Sequence, residues 1–463
     1  MLSAKAWYFT QFAAAACIYP YLNLYFRQLG FNEQQIGAFN ALRPWVSAIA
    51  GNLFTLIADH VRAHRAILLI AFVLAAVVRF SIALVHNLTY LILLVVATEA
   101  INSPVGILVD ASVMAACEQE GDYGKSRVWG AIGWGSFSAL SGVFVTRYGI
   151  YAAFVANLIG AAIAFIPTCF IPVQALHRKQ DMQRAAAAAA QAGSAAGVAG
   201  RKDYIPPLAA LDEADPEGSN ASEELIGVAL DPQPGTGAGE RIGAWRGVGL
   251  VLSNPEALVF FVMSMLMGFG MGNIDGYLFL FLKDLGGSEA LMGLTITFAC
   301  IAEIPVFQCT GWLLRTLGVN PTLHLVLCIF VVRMLCYSLL PHAASPWMVL
   351  PVELLHGVTF ACAWAAGTVN CSRISPPGLL ASTQAIYQGL YMGVGTGVGG
   401  LVGGFVYRNY GAVNVFRVAA AVIGSGWMLC MLAQQAVWAH QRRQCRMAAG
   451  EEGAHAPLLS AQP

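Results

Sequence analysis

Long apolar segments recur along this chain and limit it to a small set of folds. A helix needs about 20 predominantly apolar residues to cross the hydrocarbon core of a bilayer. Twelve segments meet this requirement, so the sequence predicts an all-α membrane protein: twelve transmembrane helices in two six-helix bundles. The segments lie roughly at 6–27, 34–57, 66–85, 88–112, 128–146, 151–172, 255–282, 291–313, 322–340, 346–369, 382–407 and 413–437.

The composition agrees with a lipid environment and excludes several functions. Of the 463 residues, 57% are hydrophobic and 11% are charged, whereas soluble domains carry about 25% charged residues. The net charge of +0 argues against a nucleic-acid partner. The eleven cysteines show no metal-ligand spacing, and no nucleophile elbow or nucleotide loop is present. We therefore predict no metal, no cofactor and no enzymatic activity.

One long polar segment separates the two sets of apolar segments. It runs over about 173–250, contains an alanine run and many Gly, Pro, Asp and Glu residues, and lacks apolar periodicity. The predicted domains are an N-terminal bundle (1–172), a cytoplasmic, mostly disordered linker (173–250), a C-terminal bundle (251–440) and a cytoplasmic tail (441–463). Lys and Arg concentrate on the side that holds both termini and the linker, which predicts that this side is cytoplasmic.

The two halves show a weak internal repeat. The segment Leu29 to Gly37, LGFNEQQIG, returns as Leu285 to Gly293, LGGSEALMG. Each copy ends one helix pair and begins the next. Six helices, a linker and six further helices in parallel repeat are the architecture of the major facilitator superfamily.

Ionisable residues inside the predicted spans indicate a functional site. Each costs at least about 2.5–3.5 kcal/mol at the bilayer centre on insertion scales, so each needs a partner or a water-filled cavity. The intramembrane set is Arg43, Arg79, Glu99, Asp110, Asp275, Glu303, Arg333, Glu353 and His356. We interpret it as a polar cavity between the halves; the alternative for any single member is a structural ion pair between helices.

Helix five carries the most specific motif. Asp122 to Trp134, DYGKSRVWGAIGW, resembles the helix-five motif of the lactose permease group of proton symporters, and the match continues in spacing through Gly142 and Phe144. The resemblance implies that Arg127 binds a sugar and that Trp134 stacks on it. The overall pattern, with its long linker, is also similar to the major-facilitator-associated-domain proteins, a lactose-permease-like branch.

Other segments of the chain look like further parts of that group. Arg333 and His356 resemble its helix-nine arginine and helix-ten histidine, and Glu303 resembles its helix-eight carboxylate. Asp275 falls near its helix-seven aspartates, and Asp110 is a counterpart of its helix-four glutamate. The resemblance implies that these residues take part in solute binding and proton coupling.

The helix-ten segment departs from the pattern of the group. The group has a proton-site carboxylate three residues after the histidine, and here that position is Thr359. A carboxylate lies three residues before the histidine instead, at Glu353. Either the proton site has moved or coupling is lost.

The gating loop between helices two and three also departs from the superfamily pattern. Thr55 and Arg62 replace its two glycines, while Asp59 and Arg65 remain. In the second half the equivalent loop keeps both glycines and has Arg315 in place of the acid. We predict Asp59, Arg65 and Arg315 as gating residues.

The function predicted from these features is secondary active transport, as a proton-coupled symporter of a small polar solute that is sugar-like or nucleoside-like. The predicted solute-binding residues are Arg127, Trp134, Asp110, Glu99, Asn102 and Asp275. The predicted proton-coupling residues are Glu303, Arg333, His356 and Glu353. The alternatives are a transporter-derived receptor or scaffold without turnover, and an uncoupled facilitator or exporter. The partners would be the solute, protons and the bilayer, with the protein acting as a monomer.

Overall fold

A computed structural model describes residues 2–117, 121–178, 181–182, 249–376 and 379–454, and within these ranges the regular structure is helical throughout. An all-α membrane fold is therefore confirmed. Most of the predicted linker (173–250) lies outside the described residues, as does the end of the predicted tail beyond 454.

The first part of the chain forms seven α-helices in the described residues up to 169. They are α1 (Leu2–Ile18), α2 (Leu22–Gln28), α3 (Glu33–Val61), α4 (His64–Ser81), α5 (Leu88–Ala116), α6 (Gly121–Tyr148) and α7 (Tyr151–Cys169). A 3₁₀ turn at Tyr19–Tyr21 separates α1 from α2. This break contains Pro20, which has no N–H to continue the helical ladder.

The second part contains long helices interrupted by π-helical turns. Its α-helices are α8 (Pro255–Asp284), α9 (Glu289–Thr316), α10 (Val319–Leu339), α11 (Val349–Glu353), α12 (Ala363–Ile374), α13 (Leu380–Gln388), α14 (Thr396–Tyr410) and α15 (Ala412–Ala454). The π-helical segments are Val358–Cys362 and Gly389–Gly395. Turns of this kind occur frequently at functional sites.

Ten helical stretches in the described residues are long and apolar enough to cross a membrane. They run from His64–Leu84 to Ala412–His440 and correspond to predicted spans three to twelve. The predicted first and second spans are not among them, and the first is divided at Pro20. Twelve crossings therefore remain a prediction.

The chain divides into two compact units. Unit 1 comprises Met1–Tyr19 and Trp45–Val228, and unit 2 comprises Pro20–Pro44 and Ala229–Pro463. The chain thus passes from one unit to the other at Pro20 and at Pro44. The membrane bundles predicted at 1–172 and 251–440 remain a prediction.

Unit 1 is organised around α1, which packs on α6 and α7. The Ser141 hydroxyl on α6 donates to Cys17 O at 2.8 Å, and the Asn157 amide on α7 donates to Ala14 O at 2.7 Å. Both bonds give a buried polar side chain a backbone partner, as a dry interior requires. They fix the rotation of α1, which places Tyr8 and Phe12 beside α6.

Unit 2 is organised around α8. The segment 20–44 belongs to this unit and packs on α8, where the Asn23 amide donates to Gly276 O at 3.0 Å. At the end of the same helix, Arg27 Nη1 lies 2.8 Å from Asp284 Oδ1. Glycines allow α14 and the adjoining π-segment to approach α8 at backbone distance, as small residues do at helix contacts in membranes.

Because of this close approach, we expect alanine to destabilise the protein at some glycines of unit 2 and not at others. A Cβ at Gly272 would lie 2.8 Å from Thr396 Cα, a backbone atom that cannot move aside. Gly272→Ala should therefore lower stability by about 1–3 kcal/mol, the usual range for overpacking. Gly424→Ala is the matched control, because its Cβ would meet Val331 Cγ2 at an ordinary 3.8 Å. Thermal unfolding of the purified protein measures both, and equal midpoints would contradict the packing described.

Candidate solute and proton sites

Arg333 on α10 is the centre of a polar cluster in unit 2. Its side chain is 1% exposed, and every part of the guanidinium has a partner. Nη2 lies 2.6 Å from Glu353 Oε2, Nε donates to Tyr337 Oη at 2.7 Å, and Nη1 contacts both His356 Nδ1 at 2.9 Å and Thr359 Oγ1 at 3.1 Å. The Tyr337 hydroxyl in turn donates to Glu353 Oε1 at 2.6 Å. A buried charge is tolerated when it is paired and hydrogen-bonded in this way.

The segment between α10 and α12 supplies three of these partners at a spacing of three residues. Glu353 ends α11, His356 follows a turn, and Thr359 lies in the π-helical segment Val358–Cys362. Residues three apart share a face of a helix, so all three side chains can reach the same guanidinium. Thr359 stands where the symporter group has a carboxylate, and here it accepts a hydrogen bond from Arg333.

The hydrogen bonds determine the tautomer of His356. An arginine guanidinium has donors and no acceptor, so His356 Nδ1 must be the unprotonated, accepting nitrogen. The ring proton is then on Nε2, which lies 3.1 Å from Glu303 Oε1. The His356 and Glu303 side chains are each 14% exposed. Glu303 is therefore joined to the arginine cluster through one imidazole, at a position that water can reach.

Asp275 on α8 adds a further carboxylate to unit 2. Its side chain is solvent-exposed, although the residues on both sides of it along the helix are buried. Asp275 interacts electrostatically with His356, Arg333, Glu353 and Arg43. An exposed acid within a largely buried helix indicates a water-accessible space at this point.

A second polar cluster lies in unit 1 around Asp110 on α5. Tyr8 donates a short hydrogen bond to Asp110 Oδ1, and Tyr123 interacts with both Asp110 and Arg127. The Arg127 guanidinium lies 4.3 Å from the Phe12 ring centre and 5.4 Å from the Tyr8 ring centre. Within the described residues, Asp110 and Arg127 form no direct ion pair. Both charged groups therefore keep hydrogen-bonding capacity for a ligand.

Trp134 lies next to this cluster on α6. Its ring centre is 6.4 Å from that of Phe12, at an interplanar angle of 69°. Trp134 follows Arg127 by seven residues, which is two helical turns on a similar face. Phe12 thus contacts both of the residues that the helix-five motif singled out.

Glu99 and Asn102 lie further along α5 and are half-buried. At 1.5 Å per residue they are roughly 16 Å and 12 Å from Asp110 along the helix axis. Spacings of three and eleven residues place Glu99, Asn102 and Asp110 near one stripe of α5, but the first two residues are two to three turns away from the Asp110 cluster. Their role in solute binding remains a prediction.

The predicted gating residues lie at helix ends. Arg65 Nη2, at the start of α4, donates to Cys169 O at 3.0 Å, and Arg315 is exposed in the last turn of α9. Asp59 lies in α3, with its side chain outside the described part. Arg62, at a position where the superfamily has glycine, adopts φ +53°, a left-handed conformation that is uncommon for residues other than glycine. Its Nη2 lies 3.2 Å from Asp181 Oδ1.

Sequence reasoning missed the hydroxyl and aromatic members of both clusters. Tyr8, Phe12 and Tyr337 are apolar enough to pass as ordinary membrane-helix residues. Tyr123 lies inside the quoted helix-five motif, and Tyr337 follows Arg333 by one helical turn, so both had a positional signal. Among the described residues, no three His, Cys, Asp or Glu side chains are placed to hold a metal ion.

The chain matches the family model described as the MFS_1 like family over residues 1–418. This chain belongs to that family. The family predicted from the sequence is thereby confirmed. The chain is an integral, multi-pass membrane protein and a transporter of the major facilitator type.

Two kinds of relative share its sequence. The maltose permease of Geobacillus stearothermophilus is 24% identical over 423 residues, which are 90% of this chain and 91% of the permease. A major facilitator superfamily domain-containing protein 6-like of Danio rerio is 28% identical over 187 residues, or 40% of this chain. This chain spans only 34% of the length of the zebrafish protein and 32% of the length of the human 6-like protein.

Solved structures confirm the fold. The nucleoside transporter NupG superposes with a TM-score of 0.69 at 17% identity, covering 93% of this chain and 98% of NupG. A peptide transporter of the POT family superposes with a TM-score of 0.64 at 12% identity, covering 94% of each chain. At these identities the likeness concerns the fold alone.

The buried Arg333–Glu353 ion pair should determine much of the thermal stability of unit 2. Glu353→Leu would leave the guanidinium buried without its carboxylate, which typically costs about 3–5 kcal/mol. The double variant Arg333→Met/Glu353→Leu removes both charges, and we expect it to recover most of the loss. Thermal unfolding midpoints of the three proteins test this. A single variant as stable as the wild type would show that the pair does not hold the cluster together.

Proposed function

We propose that this protein is a proton-coupled symporter of a small polar solute, sugar-like or nucleoside-like, that works by alternating access. The observation that carries the proposal is the division of chemistry between the units. Unit 1 holds Asp110 and Arg127 beside aromatic rings. In unit 2, the Glu303 carboxylate is linked through the His356 imidazole to the buried Arg333.

The chemistry of unit 1 suits a ring that carries hydroxyl groups. The Arg127 guanidinium donates in a planar fork, while the Asp110 carboxylate accepts, so the two together can bind vicinal hydroxyls. The Phe12 and Trp134 rings offer apolar faces on which a sugar or base can stack. The names of a maltose permease relative and a nucleoside transporter of the same fold support solutes of this kind.

The exchangeable proton is best assigned to Glu303. A proton on Glu353 would have to displace a hydrogen bond from Arg333 or Tyr337, and a proton on His356 Nδ1 would face the Arg333 cation. Glu303 has neither obstacle, because its observed partner is the neutral His356 Nε2–H and its side chain is partly exposed. Asp275, exposed and in electrostatic range of the same cluster, is the second candidate.

Coupling then requires that proton and solute bind in a fixed order before the two bundles rock about the site. Neutralising Glu303 removes a negative charge from within the membrane-spanning region and lowers the electrostatic cost of the conformational change. We further propose that both termini are cytoplasmic and that one chain transports by itself.

The solute site can be tested on two tryptophans of α6. Trp134→Ala removes the stacking face next to Phe12, and uptake should fall about 5- to 150-fold, since stacking contacts contribute about 1–3 kcal/mol. Trp129→Ala is the matched control, because Trp129 is 42% exposed and contacts Phe9 rather than the Arg127 site. Uptake of radiolabelled solutes, pooled and then deconvoluted, measures both. Equal uptake by Trp134→Ala and wild type would remove this residue from the solute site.

Coupling can be tested by proton flux in proteoliposomes loaded with a pH dye. Addition of pooled sugars and nucleosides should acidify the lumen with wild type and with Glu289→Gln, a control acid paired with Lys283. Glu303→Gln should lose the pH change while retaining solute binding. Solute uptake without any pH change in the wild type would favour an uncoupled facilitator. Binding without flux would favour a transporter-derived receptor.

A further inference from the structure

A cavity of about 370 Å³ lies in unit 2, away from the Arg333 cluster. It is enclosed by the beginnings of α8 and α10, the end of α12 and the later part of α15. Asn320 on its wall precedes Arg333 by thirteen residues, which is roughly 20 Å along α10. Its volume falls in the range of small-molecule sites, about 300–1,000 Å³.

The cavity contains a buried amide that has no partner. Asn370 on α12 lines the cavity and is 5% exposed, and its side chain makes no hydrogen bond within the described part of the chain. Its polar atoms are not among the fully buried atoms that lack a partner, so the amide is accessible from the cavity. It can therefore hydrogen-bond a molecule that occupies this space.

Two charged residues of opposite sign, Glu256 and Arg373, line the same cavity. Glu256 has an interaction of its own within the chain. Arg373 follows Asn370 by one helical turn, and its side chain is exposed. No ion pair with a described acid satisfies it. Its guanidinium is therefore available to bind two anionic oxygens in a planar fork.

A hydrogen-bond relay orients a second amide on the wall. The Trp427 indole donates from Nε1 to His324 Nδ1 at 3.0 Å, and indole nitrogen is a donor only. His324 Nδ1 is therefore an acceptor and Nε2 carries the proton, which is donated to Gln434 Oε1 at 2.6 Å. The Gln434 amide oxygen is thereby occupied, and its NH₂ group keeps both donors for the cavity that it lines.

From this arrangement we propose that the cavity is a second binding site, for a small organic anion that also carries hydroxyl groups. The carboxylate or phosphate oxygens bind Arg373, and the amides of Asn370 and Gln434 hydrogen-bond the hydroxyls. Trp438 and Phe260, also on the lining, cover the carbon skeleton. The same chemistry is present in a free metabolite and in the glycerophosphate headgroup of a phospholipid.

The test uses the purified full-length protein and three soluble probes: glycerol 3-phosphate, glycerate and uncharged glycerol. At least one anion should raise the unfolding midpoint, and glycerol should not. Arg373→Gln should raise the dissociation constant of that anion roughly tenfold or more, since a charge-assisted hydrogen bond contributes about 1.5–3 kcal/mol. Arg417→Gln removes an exposed arginine elsewhere on α15 and is the matched control.

Asn370→Leu separates binding from folding. Because the amide has no partner among the described residues, an apolar side chain of similar size should not lower the midpoint of the ligand-free protein, and it should abolish the anion-induced shift. Trp134→Ala should keep the full anion-induced shift. Loss of the shift in Trp134→Ala would mean that the anion occupies the proposed solute site, and the second site would be rejected.

Nanodiscs identify the source of the anion. Stabilisation by phosphatidylglycerol over phosphatidylcholine, absent in Arg373→Gln and without response to the soluble probes, would support the site with a lipid headgroup as its occupant. No shift with any soluble or lipid anion, or an undiminished shift in Arg373→Gln, would overturn the proposal.

Discussion

The charge of Arg333 is the constraint on which the polar architecture of unit 2 depends. A guanidinium does not lose its proton in a protein, so a buried one must be surrounded by acceptors. Glu353, His356, Thr359 and Tyr337 provide them from two neighbouring segments. Because these residues are fixed by the arginine, the turn after α11 and the π-helical segment before α12 are fixed as well, and Glu303 is joined to the cluster at a defined nitrogen of His356.

Much of the fold could be predicted because the membrane imposes it. A segment of about twenty apolar residues has almost no stable conformation in lipid other than a helix, and spans three to twelve were placed by this rule alone. The rule does not resolve where a helix breaks. Pro20 divides the first span, and the chain changes compact unit there and again at Pro44, a consequence of packing that no local pattern of hydrophobicity encodes.

The candidate sites could be predicted only in part, for a reason that lies in helix rotation. Sequence spacing brings Arg127 and Trp134 to one face of α6, but which residues of α1 meet that face depends on how α1 is turned. That rotation is fixed by the bonds from Ser141 and Asn157 to backbone carbonyls. Tyr8 and Phe12 therefore join the site without any signal of their own. Likewise, spacing grouped Glu353 with His356 but could not show that one contacts Arg333 through a carboxylate and the other through Nδ1.

The orientation of His356 has a consequence for proton transfer in the coupling mechanism proposed above. An imidazole passes protons along only when one nitrogen can accept while the other releases, and Nδ1 of His356 accepts a hydrogen bond from Arg333, a guanidinium that retains its protons. The contacts run from Glu303 to His356, from His356 to Arg333 and from Arg333 to Glu353, so the ring does not relay a proton between the two carboxylates. Loss of the arginine would free Nδ1 to accept a proton, and the ring could then relay a proton from or to Glu303. If coupling runs through Glu303 as proposed, such a variant would leak protons in the absence of solute, a defect different in kind from the absence of transport.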